Sequence, residues 1–218
     1  MYLTEKLASS LGKRASSILN VNSEKEQIIV YGAINLLQTI FSILWIVIAG
    51  AVLGVLYEAL VFSTSGSILR KYSGGVHASS PSRCIIFGTI VSTVIGLLVD
   101  KFLYGLSLLS VITLSVFCMV ISFITVFIKA PVDSPQKPIT KTAMKKMFKR
   151  NSIITLVVFS IIIVILYLFY NTSSKLYYLE VAECIVLGCL WQSMTLTKMG
   201  TAAFKKADSI LKNIMERG

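Results

Sequence analysis

Between Ile28 and Leu69 the chain is almost continuously apolar. One membrane-crossing helix needs about 20 such residues. The stretch is therefore too long for one span. It fits a hairpin of two, at about 28–48 and 52–69, turning in the sequence AGAVLG at Ala49–Gly54. Further apolar runs follow at 84–99, 102–128, 152–170 and 177–196, with Asp100 and Lys101 breaking the third run from the fourth. Of the 218 residues 55% are hydrophobic and 14% are charged. A soluble domain carries about 25% charge. The expected fold is all-α: a single polytopic domain, 1–218, with about six transmembrane helices. An alternative has four full spans plus re-entrant segments, the short 84–99 run being one of them.

Both ends predict amphipathic helices. Within residues 1–27, Leu3, Leu7, Leu11, Ala15, Ile18 and Leu19 share one helical face. That helix lies on the membrane surface or packs on the rest of the protein. In the tail, 197–218, Phe204, Ala207, Ile210, Leu211, Ile214 and Met215 share a face flanked by lysines, which suits a second interfacial helix. The first 27 residues contain no long apolar core, so no cleavable signal peptide is expected.

The formal net charge is +11. Nucleic-acid binding is the usual meaning of such a value, but here the charges lie between apolar runs rather than on a soluble module. Membrane orientation accounts for them. With six spans and an internal N-terminus, segments 1–27, 70–83, 129–150 and the tail carry 19 of the 21 Lys and Arg residues. Lys101 and Lys175 are left outside. The positive-inside rule therefore puts both termini in the cytoplasm, and residues 70–84 at the cytoplasmic face.

Four cysteines are present. Cys118, Cys184 and Cys189 sit inside apolar runs and read as small buried hydrophobes. Their spacing matches no metal site, and no disulfide framework is expected. Cys84 differs. It ends the polar stretch LRKYSGGVHASSPSRC, Leu69–Cys84, which also holds the chain's sole histidine, His77. Ser79 and Ser80 are good N-cap residues and Pro81 favours the first helical position. Cys84 then falls in the first turn of a helix, where the dipole, with Arg83 beside it, favours thiolate over thiol. His77 can serve as its base if Gly74, Gly75 and Pro81 let the chain fold back. On a straight helix the two residues would stand about 10 Å apart along the axis. Gly74 and Gly75 can offer backbone amides to a developing oxyanion. Arg70 can bind a substrate carboxylate or hold the loop by hydrogen bonds.

The pattern of Arg70, Gly74-Gly75, His77-Ala78 and Cys84 resembles the signature of the accessory gene regulator B family. The sequence APVDSPQKPI, Ala130–Ile139, resembles that family's proline- and lysine-containing cytoplasmic loop. The resemblance implies a membrane cysteine endopeptidase of a low-GC Gram-positive bacterium. Such an enzyme processes the precursor of a cyclic autoinducing peptide used in quorum sensing. It implies Cys84 as nucleophile and His77 as base. The substrate implied has an amphipathic leader, a core with an internal cysteine and an acidic C-terminal tail. A homodimer is also implied. The basic loop 129–150, with Lys129, Lys137 and Lys141, offers a partner for the acidic tail and for anionic lipid.

Asp133 is a candidate for orienting His77. Glu58, Glu180 and Glu183 map toward the outer half of the membrane, and no role follows for them from the sequence. Neither a cofactor nor a metal is implied. Two other functions stay open: a small-peptide transporter, against which the lack of an internal repeat speaks, and a non-catalytic membrane scaffold recruiting a partner through 129–150.

Overall fold

The computed structural model describes residues 3–20, 22–76, 80–102, 106–133 and 141–217. Among them are eight helices: α1 (Leu3–Leu19), α2 (Ser23–Leu53), α3 (Leu56–Ser73), α4 (Pro81–Phe102), α5 (Leu108–Lys129), α6 (Thr142–Ser173), α7 (Tyr177–Met194) and α8 (Lys198–Arg217). The chain is a polytopic all-α membrane protein. The expected hairpin turns at the end of AGAVLG. Gly54 caps α2 in the left-handed region, φ 73°, its amide bonded to the carbonyls of Gly50 and Ala51. The break expected at Asp100 and Lys101 is displaced, because α4 runs through both to Phe102. The basic lead-in before the fifth run is helical, making α6 32 residues long. At about 48 Å it exceeds the hydrocarbon core by several turns, so its basic end projects into the aqueous boundary.

Four helical stretches are long and apolar enough to cross a membrane: Lys25–Leu53, Pro81–Lys101, Leu108–Lys129 and Thr142–Ser173. A fifth is counted if the pair Tyr177–Met194 and Lys198–Ile214, bent by 92°, forms one span. Four or five stretches thus meet that criterion where the sequence suggests about six spans, and the 84–99 run is part of a full-length helix rather than a re-entrant piece. The helix that falls short is α3, with Glu58, Arg70, Lys71 and a run of Ser and Thr.

Packing explains why α3 needs no lipid-compatible surface. The most extensive helix contact in the molecule is between α3 and α7, and α7 also touches α4, α5 and α6. A Cβ on Gly188 would lie 2.7 Å from the Phe62 carbonyl oxygen and 3.1 Å from the Gly66 amide. The two backbones therefore meet directly, as small residues allow inside a membrane. Around this pair the core gathers Leu69, Val126, Leu156, Val186 and Cys189, all at most marginally exposed. The lipid-facing residues lie on the outer helices, as in Leu36, Trp45, Phe117 and Leu168.

Of the two readings of the N-terminal helix, packing on the rest of the protein is the one observed. α1 packs on α2 through Gly12 and Ser16, whose hydroxyl donates to Glu26 at 3.0 Å. Its Leu7, Leu11 and Ile18 remain exposed, free to enter a membrane surface. The apolar face of α8 divides instead. Phe204 packs edge-on against Phe87 of α4 at 4.7 Å, whereas Ile210 and Ile214 stay exposed.

Candidate active site

Helix α4 begins at Pro81, as the Ser-Ser-Pro sequence predicts. The Cys84 amide donates to the Ser80 carbonyl at 3.1 Å, placing the thiol in the first turn. Cys84 is half-buried, while Cys118, Cys184 and Cys189 are buried; all four are free thiols. Arg83 supplies less charge to this turn than the sequence suggests. It is 5% exposed and its Nε donates to Asp208 of α8 at 2.8 Å, so much of its charge is matched by that carboxylate.

The cation near Cys84 is Arg70, in the last turn of α3. Burial disfavours its charged form, and the charge of a Cys84 thiolate only partly offsets this. The Arg70 Nη2 donates to the carbonyl oxygen of Val76. Of the two roles open to Arg70, the structure has it holding the loop. Val76 directly precedes His77, which lies outside the described residues, as do Ala78 and Ser79.

The two glycines shape the start of this loop. Gly74 has φ 70° and Gly75 φ 125°, where a Cβ is strained. Neither has room for one. A Cβ at Gly74 would collide with the Val132 carbonyl oxygen, and one at Gly75 would stand 3.0 Å from Thr195 Oγ1 and 3.3 Å from Gln192 Nε2. The Gly74 amide is engaged with the Arg70 carbonyl at 3.0 Å, closing the end of α3.

Two elements clamp the loop. From α7, Gln192 Nε2 donates to Ser73 Oγ at 3.0 Å and to the Gly74 carbonyl at 2.8 Å. From the segment after α5, the Val132 amide donates to the Ser73 carbonyl at 2.9 Å, and Gly74 pairs with Val132 as an isolated parallel bridge. Asp133 is carried next to the loop by this pairing, and its carboxylate meets Lys145 at 3.4 Å. Lys129 and Lys141 are exposed at the ends of α5 and α6, and Lys137 lies outside the described residues. Sequence reasoning missed Gln192, Thr195 and Ser73. Gln192 had a signal: it is a lone amide near the end of an apolar run, and a polar side chain there needs a partner.

The sequence profile of the family described as Accessory gene regulator B matches residues 4–196. The chain belongs to the AgrB family. Relatives include AgrB-like protein 2 of Clostridium perfringens (strain 13 / Type A), 35% identical over 98% of this chain and 100% of its own length. An AgrB-like protein of Clostridium perfringens (strain SM101 / Type A) is also 35% identical, over 98% of this chain and all of its own. AgrB-like protein 1 of strain 13 is 28% identical over 71% of this chain and 78% of its own. No solved structure matches the chain. The AgrB match spans the Cys84 turn, the glycine loop and the Gln192 clamp together. AgrB proteins are associated with the processing of autoinducing peptides, and this chain is a multi-pass membrane protein of that family.

Proposed function

We propose that this chain is a membrane-embedded cysteine endopeptidase. It removes the C-terminal tail of a quorum-sensing precursor peptide, with Cys84 as nucleophile and His77 as its base. The observation that carries the reading is the clamping of the glycine loop that leads to the Cys84 turn. Arg70 donates to the carbonyl of Val76, the residue before His77, and Gln192 holds Ser73 and the Gly74 carbonyl. A loop held in this way supports an imidazole within the short reach of the sulfur that base catalysis requires.

The chemistry follows from the groups. Cys84 thiolate adds to the carbonyl carbon of the bond before the tail, and the Gly75 amide is the loop donor best suited to the developing oxyanion, since that of Gly74 is occupied. The C–N bond breaks, the departing amine takes a proton from His77, and the core remains on Cys84 as a thioester. The thiol of the core's own cysteine then attacks that carbonyl, giving its proton to His77. A thiolactone forms and Cys84 leaves as thiolate. The second step exchanges one thioester for another and is close to thermoneutral. The first turns an amide into a thioester and runs uphill, so water must be excluded from the intermediate. The half-burial of Cys84 supports that exclusion. Lys129, Lys137 and Lys141 would attract the acidic tail and anionic lipid. Catalysis is assigned to the cytoplasmic face, and a homodimer is a further part of the reading.

The test is co-expression with a candidate precursor and mass analysis of the products. Cys84→Ser is expected to stop tail removal while the protein still reaches the membrane. Cys184→Ala is expected to leave it intact. Processing by the Cys84→Ser chain would end the proposal.

A further inference from the structure

Helices α4 and α5 both pack on α7 but scarcely on each other. Between them is a partly open cavity of about 200 Å³, walled by Leu98, Val111, Leu114 and Leu187 among others, with Glu183 the one charged residue lining it among the described residues. Leu98 lies 14 residues beyond Cys84 on the same helix, about 21 Å along the axis, so this is a separate place from the candidate active site. Glu183 is 5% exposed. Its Oε1 accepts from Tyr167 Oη at 2.7 Å and from Ser115 Oγ. The two hydroxyls also contact each other at 2.7 Å. Two donors converging on one oxygen stabilise an anion. Among the described residues no Lys or Arg forms an ion pair with Glu183. An intramembrane carboxylate with donors but no cation is costly unless it takes up a proton or a counter-ion comes from elsewhere.

We propose that the gap between α4 and α5 binds a membrane-borne amine, an aromatic or short alkyl group bearing one protonated nitrogen, with Glu183 as counter-ion. The shape and charge agree on this class. A dry cavity of about 150 Å³ accepts a benzene ring, so the apolar walls hold a ring or a short chain. Among ligands, the charge complement to this acid is a cation, whose binding would favour the ionised carboxylate. The site stands independently of the peptidase reading, because none of its residues belongs to the Cys84 loop.

The experiment uses the full chain in phosphatidylcholine nanodiscs, with 2-phenylethylamine and its uncharged counterpart 2-phenylethanol as probes. Thermal midpoints are followed against probe concentration. The amine is expected to raise the midpoint of the native chain at a concentration at least tenfold lower than the alcohol. Glu183→Gln keeps an oxygen acceptor for Ser115 and Tyr167 and is expected to erase that preference. Leu114→Trp fills the gap without touching the acid and is expected to remove the response to both probes. Equal responses of the native chain to amine and alcohol would overturn the proposal. So would an amine preference that survives in Glu183→Gln, or an amine response that survives in Leu114→Trp. If Glu183→Gln does not fold, the native chain and Leu114→Trp decide.

Discussion

Arg70 holds the glycine loop that leads to the cysteine turn, and its chemistry sets what a substitution should do. A guanidinium offers several donors in a fixed plane, so it can hold the Val76 carbonyl from a partly buried position. An ammonium offers one point charge and no fixed fork. A hydrogen bond from a charged donor contributes about 1.5–3 kcal/mol, and each 1.4 kcal/mol is about tenfold in rate. Arg70→Ala is therefore expected to slow processing about ten- to a hundredfold, with Arg70→Lys in between. If Arg70→Lys processes at the native rate, the planar fork has no part in the site. At this scale the local structure around Cys84 was legible. Pro81 marked the helix start, and the one polar-gap cysteine stood apart from three in apolar runs. The partner of Arg83 was not legible, because Asp208 belongs to a distant amphipathic helix and only folding brings it to α4.

Among the elements, α3 and α7 are packed backbone to backbone, and the two glycines at the crossing are not equivalent. A Cβ at Gly188 meets the Phe62 carbonyl oxygen at 2.7 Å, and backbone cannot swing aside as a flexible side chain can. A Cβ at Gly66 meets the Gly188 carbonyl oxygen at 3.3 Å, a contact relieved by a few tenths of an ångström. Gly188→Ala should therefore lower stability by about 1–3 kcal/mol, and Gly66→Ala by clearly less. Thermal unfolding of detergent-solubilised protein reads the difference, and a larger drop for Gly66→Ala would contradict the crossing geometry. The sequence marked both segments as apolar runs and so as spans, but hydropathy cannot separate a helix that faces lipid from one that faces other helices. The mixed polarity of α3, from Glu58 through its Ser and Thr residues to Lys71, carried that distinction. It becomes meaningful only once α7 is known to lie against it.

For the whole molecule, the distribution of charge and the placement of the candidate site make one argument about orientation. The basic end of α6, the Cys84 turn and α8 with its lysines all lie toward one side of the bundle, while Lys175 lies in the short turn between α6 and α7 at the other. Each Lys or Arg held near an anionic cytoplasmic leaflet gains about 1 kcal/mol. With nineteen such residues on one side against two on the other, the positive-inside rule predicts that the Cys84 side is cytoplasmic. Lys145 and Lys175 are both exposed, so each accepts a cysteine reporter. Cys118, Cys184 and Cys189 are at most 5% exposed and give little background. In a Cys84→Ser chain, an impermeant maleimide applied to intact cells is expected to label Lys175→Cys but to reach Lys145→Cys only after permeabilisation. Labelling of Lys145→Cys in intact cells would turn the molecule over and place Cys84 on the outside. A reading in which the precursor meets the enzyme from the cytoplasm would fall with it, whereas the α4–α5 gap would keep its amine chemistry and open to the other leaflet.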